Sequence, residues 1–394
     1  IADDSITSVV EEYLQAQANT KYLFEDEDLT AHTVSDLSQS EMEVVQKALL
    51  KSSPEKSEKA VSIKSLDTSF AEYMEEKARY IQYTREAEGL EISDYSVEYG
   101  SPQVTTAGDM AQVKIAELVS MKYEGLDDMS SISTNYVVDL INVNDKWVIA
   151  DISSDDLFDQ VYEDGFDYQT AVTEYNEAMV QPGEIVVEQE TREQVAELMA
   201  SGATVYPYNN SAGAYYSLNY TTSTGVNTQS YYNSNFAPYH GFDCMNFASQ
   251  CMYAGFGGSD DVSAINSMGF PMDRQGSSNS YDRWYTNASG GSCSGSWIGT
   301  LSFQNYASRV NGVTPSQDNM YVDMYLPSPS AGVGTLYNYQ SRLPGSVVFV
   351  LDGEGDLGHA MVISKVTGPA TSQIFVSAHT NDVKLQPLSQ CISN

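Results

Sequence analysis

The sequence predicts an α+β protein of two domains, and three observations carry that prediction. The chain has 394 residues, long for one hydrophobic core and comfortable for two. Charge is divided unevenly: residues 1–203 hold 43 acidic side chains against 13 Lys and Arg, whereas residues 204–394 hold 11 against 6. In the first part the patterning runs from helical periodicity to alternating strands, which suits helices on an antiparallel sheet and not repeated βαβ units. The division is an acidic α+β accessory domain over 1–154, a helical bridge over 155–203 and a second domain over 204–394.

Residues 4–18 and 66–89 have helical spacing, the second through Phe70, Tyr73, Met74, Ala78 and Ile81. Between them, residues 51–65 are rich in Lys, Ser and Glu and read as an exposed connection. Segments 92–99, 110–123, 132–143 and 146–153 alternate or run apolar with β-branched enrichment. The stretch Asn142-Val143-Asn144-Asp145 between the last two is a hairpin signal. Helices over 168–179 and 191–200, separated by Gln181-Pro182-Gly183-Glu184, make the bridge. By its element order and its ending Asp145-Lys146-Trp147-Val148-Ile149-Ala150-Asp151, the first domain resembles the cystatin-like or nuclear-transport-factor-like small domains that precede catalytic domains in secreted bacterial proteins. That resemblance implies an interaction or spacer role, with a protein or cell-wall partner. His32 is the domain's one histidine, and no chemistry is visible around it.

A formal net charge of -35 excludes nucleic acid as a partner, because phosphate binding needs concentrated Lys and Arg. It also disfavours adsorption to anionic membranes, and the acidity is read as solubility. No run approaches the ~18 apolar residues of a membrane span. The chain opens on Ile1, so a removed leader and a secreted or cell-surface location are expected. Four cysteines without a CxxC pair make neither a disulfide scaffold nor a zinc site, and a single bridge between Cys293 and Cys391 stays open. No metal and no organic cofactor is called for. Asp352, Glu354 and Asp356 alternate like the start of a calcium loop but lack its later Gly and Glu, and read as a solvated turn.

The most informative stretch is Gly241 to Phe256. Gly241 and Asp243 are turn and N-cap types, Phe247, Ala248, Cys251 and Ala254 fall at helical spacing, and Gly255 suits a C-terminal stop. Cys244 then lies in the first turn, where unpaired amides and the helix dipole favour thiolate. Cys251, deeper in the helix, reads as a small buried hydrophobe. His359 opens an apolar strand, and residues 373–379 form a second strand ending in His379. A hairpin symmetric about residue 369 places His359 opposite His379, Met361 opposite Ser377 and Ile363 opposite Phe375 on one face. With the Cys244 helix on that face, His359 takes the thiol proton and His379 orients His359. A one-residue slip would separate the pair, and Asn381 is then the alternative orienter.

The run Asp243-Cys244-Met245-Asn246-Phe247-Ala248-Ser249-Gln250-Cys251, with Asp282-Arg283-Trp284-Tyr285, Ser296-Trp297, Leu357 to Val362 and Ala378 to Asp382, resembles an amidase-domain family of bacterial secreted proteins. That family is related to papain-like cysteine peptidases and to cysteine, histidine-dependent amidohydrolases. The resemblance covers about residues 205–394. It implies a papain-like fold with Cys244 as nucleophile, His359 as general base and His379 as the polar third member, Met245 standing where the family commonly has Thr or Ser. The oxyanion hole would use the Cys244 amide with a donor from Tyr239 or His240. Trp284 and Trp297 either line a substrate cleft or fill the core, and Asn246 and Gln250 are structural hydrogen-bonders. The expected activity is hydrolysis of peptide or peptidoglycan stem amides through a thioester. Two rivals are an acyltransferase or transglutaminase-like reaction through the same thioester, and a non-catalytic binding module on a decayed hydrolase scaffold.

Overall fold

The computed structural model describes residues 2–52 except 24 and 26, 69–180 except 157 and 160–165, 208–221, 232–233, 236, 243–257, 284–286, 293–308, 344–351, 357–368, and 371–391 except 381. They form two compact units, one on residues 1–173 and one on 174–223 with 228–394. Each unit is mixed α+β with antiparallel strands. Among the described residues no helix is long and apolar enough to cross a membrane.

In the first unit, α1 (Ala2–Ala18) runs into a π-turn over Asn19–Leu23, and α2 (Gln39–Ser52) and α3 (Ser69–Glu88) follow. The sequence reading assigned nothing to α2, yet its start carries a legible signal. Ser38 and Glu41 stand at capping-box spacing, and the Ser38 N–H and Oγ–H both donate to Glu41 Oε2, at 2.9 and 2.6 Å.

Strands β1 (Ile92–Tyr99), β3 (Met110–Tyr123), β4 (Ser130–Val143) and β5 (Lys146–Ser154) stand within two residues of the expected bounds. Between β1 and β3 lies β2 (Gln103–Ala107), a polar, largely exposed strand that also pairs with β3 and that apolar patterning could not find. The β4–β5 hairpin closes through Asn144 and Asp145, at φ 54° and 66°, the left-handed pair that a two-residue turn matched to strand twist requires. Ile6, Val10 and Leu14 of α1 pack on Val113, Ile115, Val138, Leu140 and Ile149, while Val34 and Val45 cover Ile141, Val143 and Val148. Successive residues Leu140 and Ile141 are therefore both buried, because both faces of β4 are covered at that point.

Within this apolar face sits Glu117, on the same side of β3 as Ile115 and directly opposite Tyr99 of β1. Tyr136 Oη donates to Glu117 Oε1 at 3.5 Å. Burial pushes the Glu117 carboxyl up to about 7 against the pull of Lys21. The folded state therefore binds a proton more tightly than the unfolded state, so this group costs stability as pH rises from about 4.5 through 7. Glu117→Gln should stabilise the first unit in urea by roughly 1–3 kcal/mol at pH 8 and by little at pH 4. An equal effect at the two pH values would rule this account out.

The second unit begins with α4 (Tyr168–Val180), within which the division between units falls, and α5 (Asn210–Asn219). Next come α6 (Cys244–Gly257), α7 (Gly295–Ile298), α8 (Thr300–Ser308) and the strands β6 (Val347–Leu351), β7 (Leu357–Val366), β8 (Ile374–Ala378) and β9 (Val383–Pro387), closed by α9 (Leu388–Cys391). The strands pair antiparallel in the order β6-β7-β8-β9. Helix α6 is buried on nearly every side and shares one cluster with Tyr216 of α5, Trp284, Trp297, Phe303, and Ala360 and Val362 of β7. Gly345, at φ +85°, brings the start of β6 against the start of α5, where any Cβ would stand 2.4 Å from the Asn210 carbonyl oxygen.

The β7–β8 register differs from the symmetric hairpin. Val362, not Met361, faces Ser377, and Val366 faces Ile374, with an irregularity between Ile363 and Lys365. Thr371–Gln373 form a 3-10 turn, so the connection is not symmetric about residue 369. That slip removes the cross-strand pairing of His359 with His379, and His379 falls beyond the end of β8.

Candidate active site

Helix α6 starts at Cys244, with Asp243 in the N-cap position, its carbonyl accepting the Phe247 N–H at 2.8 Å. The helix runs two residues past Gly255 before it stops. Cys244 is in the first turn and 9 % exposed. Burial pushes its thiol up. The Ala360 and Met245 backbone N–H groups, both near the sulfur, act the other way, and the Asp243 charge adds to the rise. The thiolate-favouring first turn expected from sequence is thus outweighed by desolvation.

His359 precedes Ala360 on β7 and faces Val350 of β6. It is buried, and burial pushes its imidazole down to about 4, so the ring is neutral at pH 7. Ala360 and Val362 join the α6 cluster, so β7 meets the Cys244 helix through the residue next to His359.

His379 does something other than orient His359. Its Nδ1 lies 2.6 Å from Asp243 Oδ2, and its Nε2 faces the Tyr220 carbonyl oxygen. The ring is stacked between Tyr232 and Phe247, with both centroid distances 4.0 Å. Both nitrogens are therefore committed to oxygens of Asp243 and Tyr220. Asp243 is held from two more directions. Its Oδ1 accepts from Asn246 Nδ2 at 2.6 Å, its N–H donates to Thr380 Oγ1 at 3.0 Å, and Thr380 is itself at φ 60°, a left-handed conformation that costs a β-branched residue about 1–3 kcal/mol.

Trp284 and Trp297 are fully buried with ring centroids 4.7 Å apart, which makes them core and not cleft wall. Trp297 Nε1 donates to Asn246 Oδ1 at 2.7 Å and Trp284 Nε1 to Ser249 Oγ at 3.1 Å, so both indoles anchor α6. Gln250 accepts from Tyr216 Oη at 2.6 Å. Cys251 is wholly buried in the same cluster, and among the described residues no disulfide joins Cys293 to Cys391.

Residues 207–394 match the family model described as "Putative amidase domain". No curated protein and no solved structure matches the chain. The match supports amide hydrolysis, at that coarse level, for residues 207–394. Tyr239, His240 and Asn381, and the turn of Asp352, Glu354 and Asp356, lie outside the described residues. The sequence reading missed Tyr220, Tyr232 and Thr380 as parts of this site and gave Asp243 only a capping role. The adjacency of Asp243 to Cys244, and of Thr380 to His379, was the only signal for two of them.

Trp297→Phe keeps the ring stack and removes the indole donor to a buried amide oxygen. It should lower stability in urea by about 1–3 kcal/mol, and an unchanged midpoint would show that the Asn246 bond contributes nothing.

Proposed function

We propose that the amidase domain is a cysteine-dependent amide hydrolase that works through a thioester. The observation that carries this reading is Cys244 at the first turn of a buried helix, its sulfur beside the Ala360 N–H and one residue along β7 from a neutral His359. As Cys244 Sγ attacks the amide carbonyl carbon, His359 takes the thiol proton. The imidazolium then donates that proton to the leaving amine nitrogen as the C–N bond breaks, leaving a thioester on Cys244. Water, deprotonated by His359, attacks the thioester carbon and releases the carboxylic acid and the thiol. The Cys244 N–H, one of the first-turn amides without an intrahelical acceptor, is a donor for the oxyanion. With His379 engaged elsewhere, we assign the orientation of His359 to Asn381.

Peptide or peptidoglycan stem amides are the substrate class we favour, with an exported location and a partner-binding role for the acidic first unit. These rest on the resemblance described above and on charge. Family descent also leaves an acyltransferase on the table, which differs only in letting an amine accept the acyl group.

Cys244→Ala and His359→Ala should each lower kcat by at least about 10³-fold on any amide that the wild-type chain cleaves, with circular dichroism unchanged. Persistence of turnover in Cys244→Ala would eliminate the thioester mechanism. Product analysis with an added primary amine separates hydrolysis, which yields acid, from transfer, which yields a new amide. Because burial holds His359 down at about 4, the base stays available well below the usual histidine range. The acid limb of kcat/KM should accordingly fall near pH 4–5, and a limb at 6.5 would contradict the buried neutral ring.

A further inference from the structure

We propose that His379 is a positioning residue that acts on Asp243: it neutralises and holds the carboxylate one residue ahead of the nucleophile. This rests on Cys244 being the nucleophile.

The hydrogen bonds carry the argument. A backbone carbonyl oxygen accepts only, and so does an ionised carboxylate. A ring that faces the Tyr220 carbonyl with Nε2 and Asp243 Oδ2 with Nδ1 meets both demands when each nitrogen bears a proton and the ring is a cation. Its surroundings suit a cation. Tyr232 and Phe247 lie parallel to it within 14° and 22°, so two π-faces cover the ring where water does not, His379 being 1 % exposed. The grip on Asp243 is double, because Thr380, the next residue, takes the Asp243 backbone N–H.

Without the cation, a buried carboxylate would stand beside the thiol that must lose its proton. Asp243 already opposes that loss, and burial opposes it more. Among the described residues, the other titratable groups near this pair are His359 beside Ala360, Tyr216 near Asp243, Tyr220, and Asp382, which accepts from Tyr232 Oη at 3.2 Å. None of these supplies the positive charge. His379 thus sets how readily Cys244 becomes a thiolate, a different task from orienting the base.

The test is the pH midpoint of iodoacetamide alkylation at Cys244, resolved by peptide mass spectrometry, on the full chain. His379→Gln should raise the midpoint by about one pH unit or more, and Asp243→Asn added to it should bring the midpoint back to the wild-type value or below. An unchanged midpoint in His379→Gln, or a double variant as shifted as the single one, overturns the proposal. If His379→Gln fails to fold by near-UV circular dichroism, the proposal requires the double variant to fold, since the unpaired buried charge is gone; failure of both overturns it. Alkylation reads the thiol whether or not any amide is cut. Absence of turnover with the shifts intact therefore sinks the hydrolase reading alone.

Discussion

A helix whose first turn is buried must satisfy its end groups inside the protein, and the arrangement around Cys244 follows from that constraint. The first four N–H groups of any helix lack an intrahelical acceptor, and at a surface water would serve them. Here the start of α6 is packed among α5, Trp297 and β7. Asp243 therefore carries its own fixed set of partners: Asn246 and His379 on the side chain, Thr380 on the backbone N–H. Trp297 holds Asn246 in turn. One continuous polar chain runs from the Tyr220 carbonyl through His379, Asp243 and Asn246 to Trp297, and a chain of this kind is favourable only when each member is satisfied. Its completeness fixes the position of the residue that follows Asp243, which is Cys244.

The same physical problem has a second solution in the first unit. Lys77, nearly inaccessible to water, is held by Asp156 at 3.0 Å and Asp159 at 2.6 Å, with Tyr73 Oη and Ser154 Oγ donating to Asp159. There the cations are two lysines, since Lys21 also reaches Asp156 at 3.2 Å, and two aspartates answer them. Glu117 shows the alternative, a buried acid whose strongest influence is desolvation and which keeps its proton toward neutral pH. Paired charges and a protonated acid are the two ways in which a low-dielectric interior tolerates carboxyl groups. Under the role proposed for His379, Asp243 follows the first.

Local pattern made much of this legible. Alternation gave β1, β3, β4 and β5 to within two residues, and Asn144-Asp145 declared the hairpin because few residues accept positive φ. The start of α6 was readable from Asp243 and the apolar spacing behind it. What stayed hidden was set by non-local geometry. Strand β2 is polar and exists because β3 offers it an edge, so no apolar signal marks it. The β7–β8 register turned on an irregularity near Ser364 and a 3-10 turn, neither of which a symmetric reading of the two apolar runs could supply. That slip matters most, since it removes the cross-strand pairing of His359 with His379. The carbonyl of Tyr220 and the ring of Tyr232 reach His379 from elements far away in sequence, and only the folded chain brings them there.

The burial that defines the site also constrains how it could work. In the proposed mechanism, a cysteine raised by desolvation and a histidine lowered by desolvation do not favour a ground-state thiolate–imidazolium pair, since each shift stabilises the neutral form. On that proposal both partners wait uncharged, and the proton moves as the sulfur attacks, when the developing oxyanion and the first-turn amides of α6 compensate the charge separation. In such a site any fixed negative charge near the sulfur raises the barrier directly, because little solvent screens it. On the proposed reading, the carboxylate one residue ahead of Cys244 calls for a counter-charge, and among the described residues around Asp243 the ring of His379 is placed to supply it.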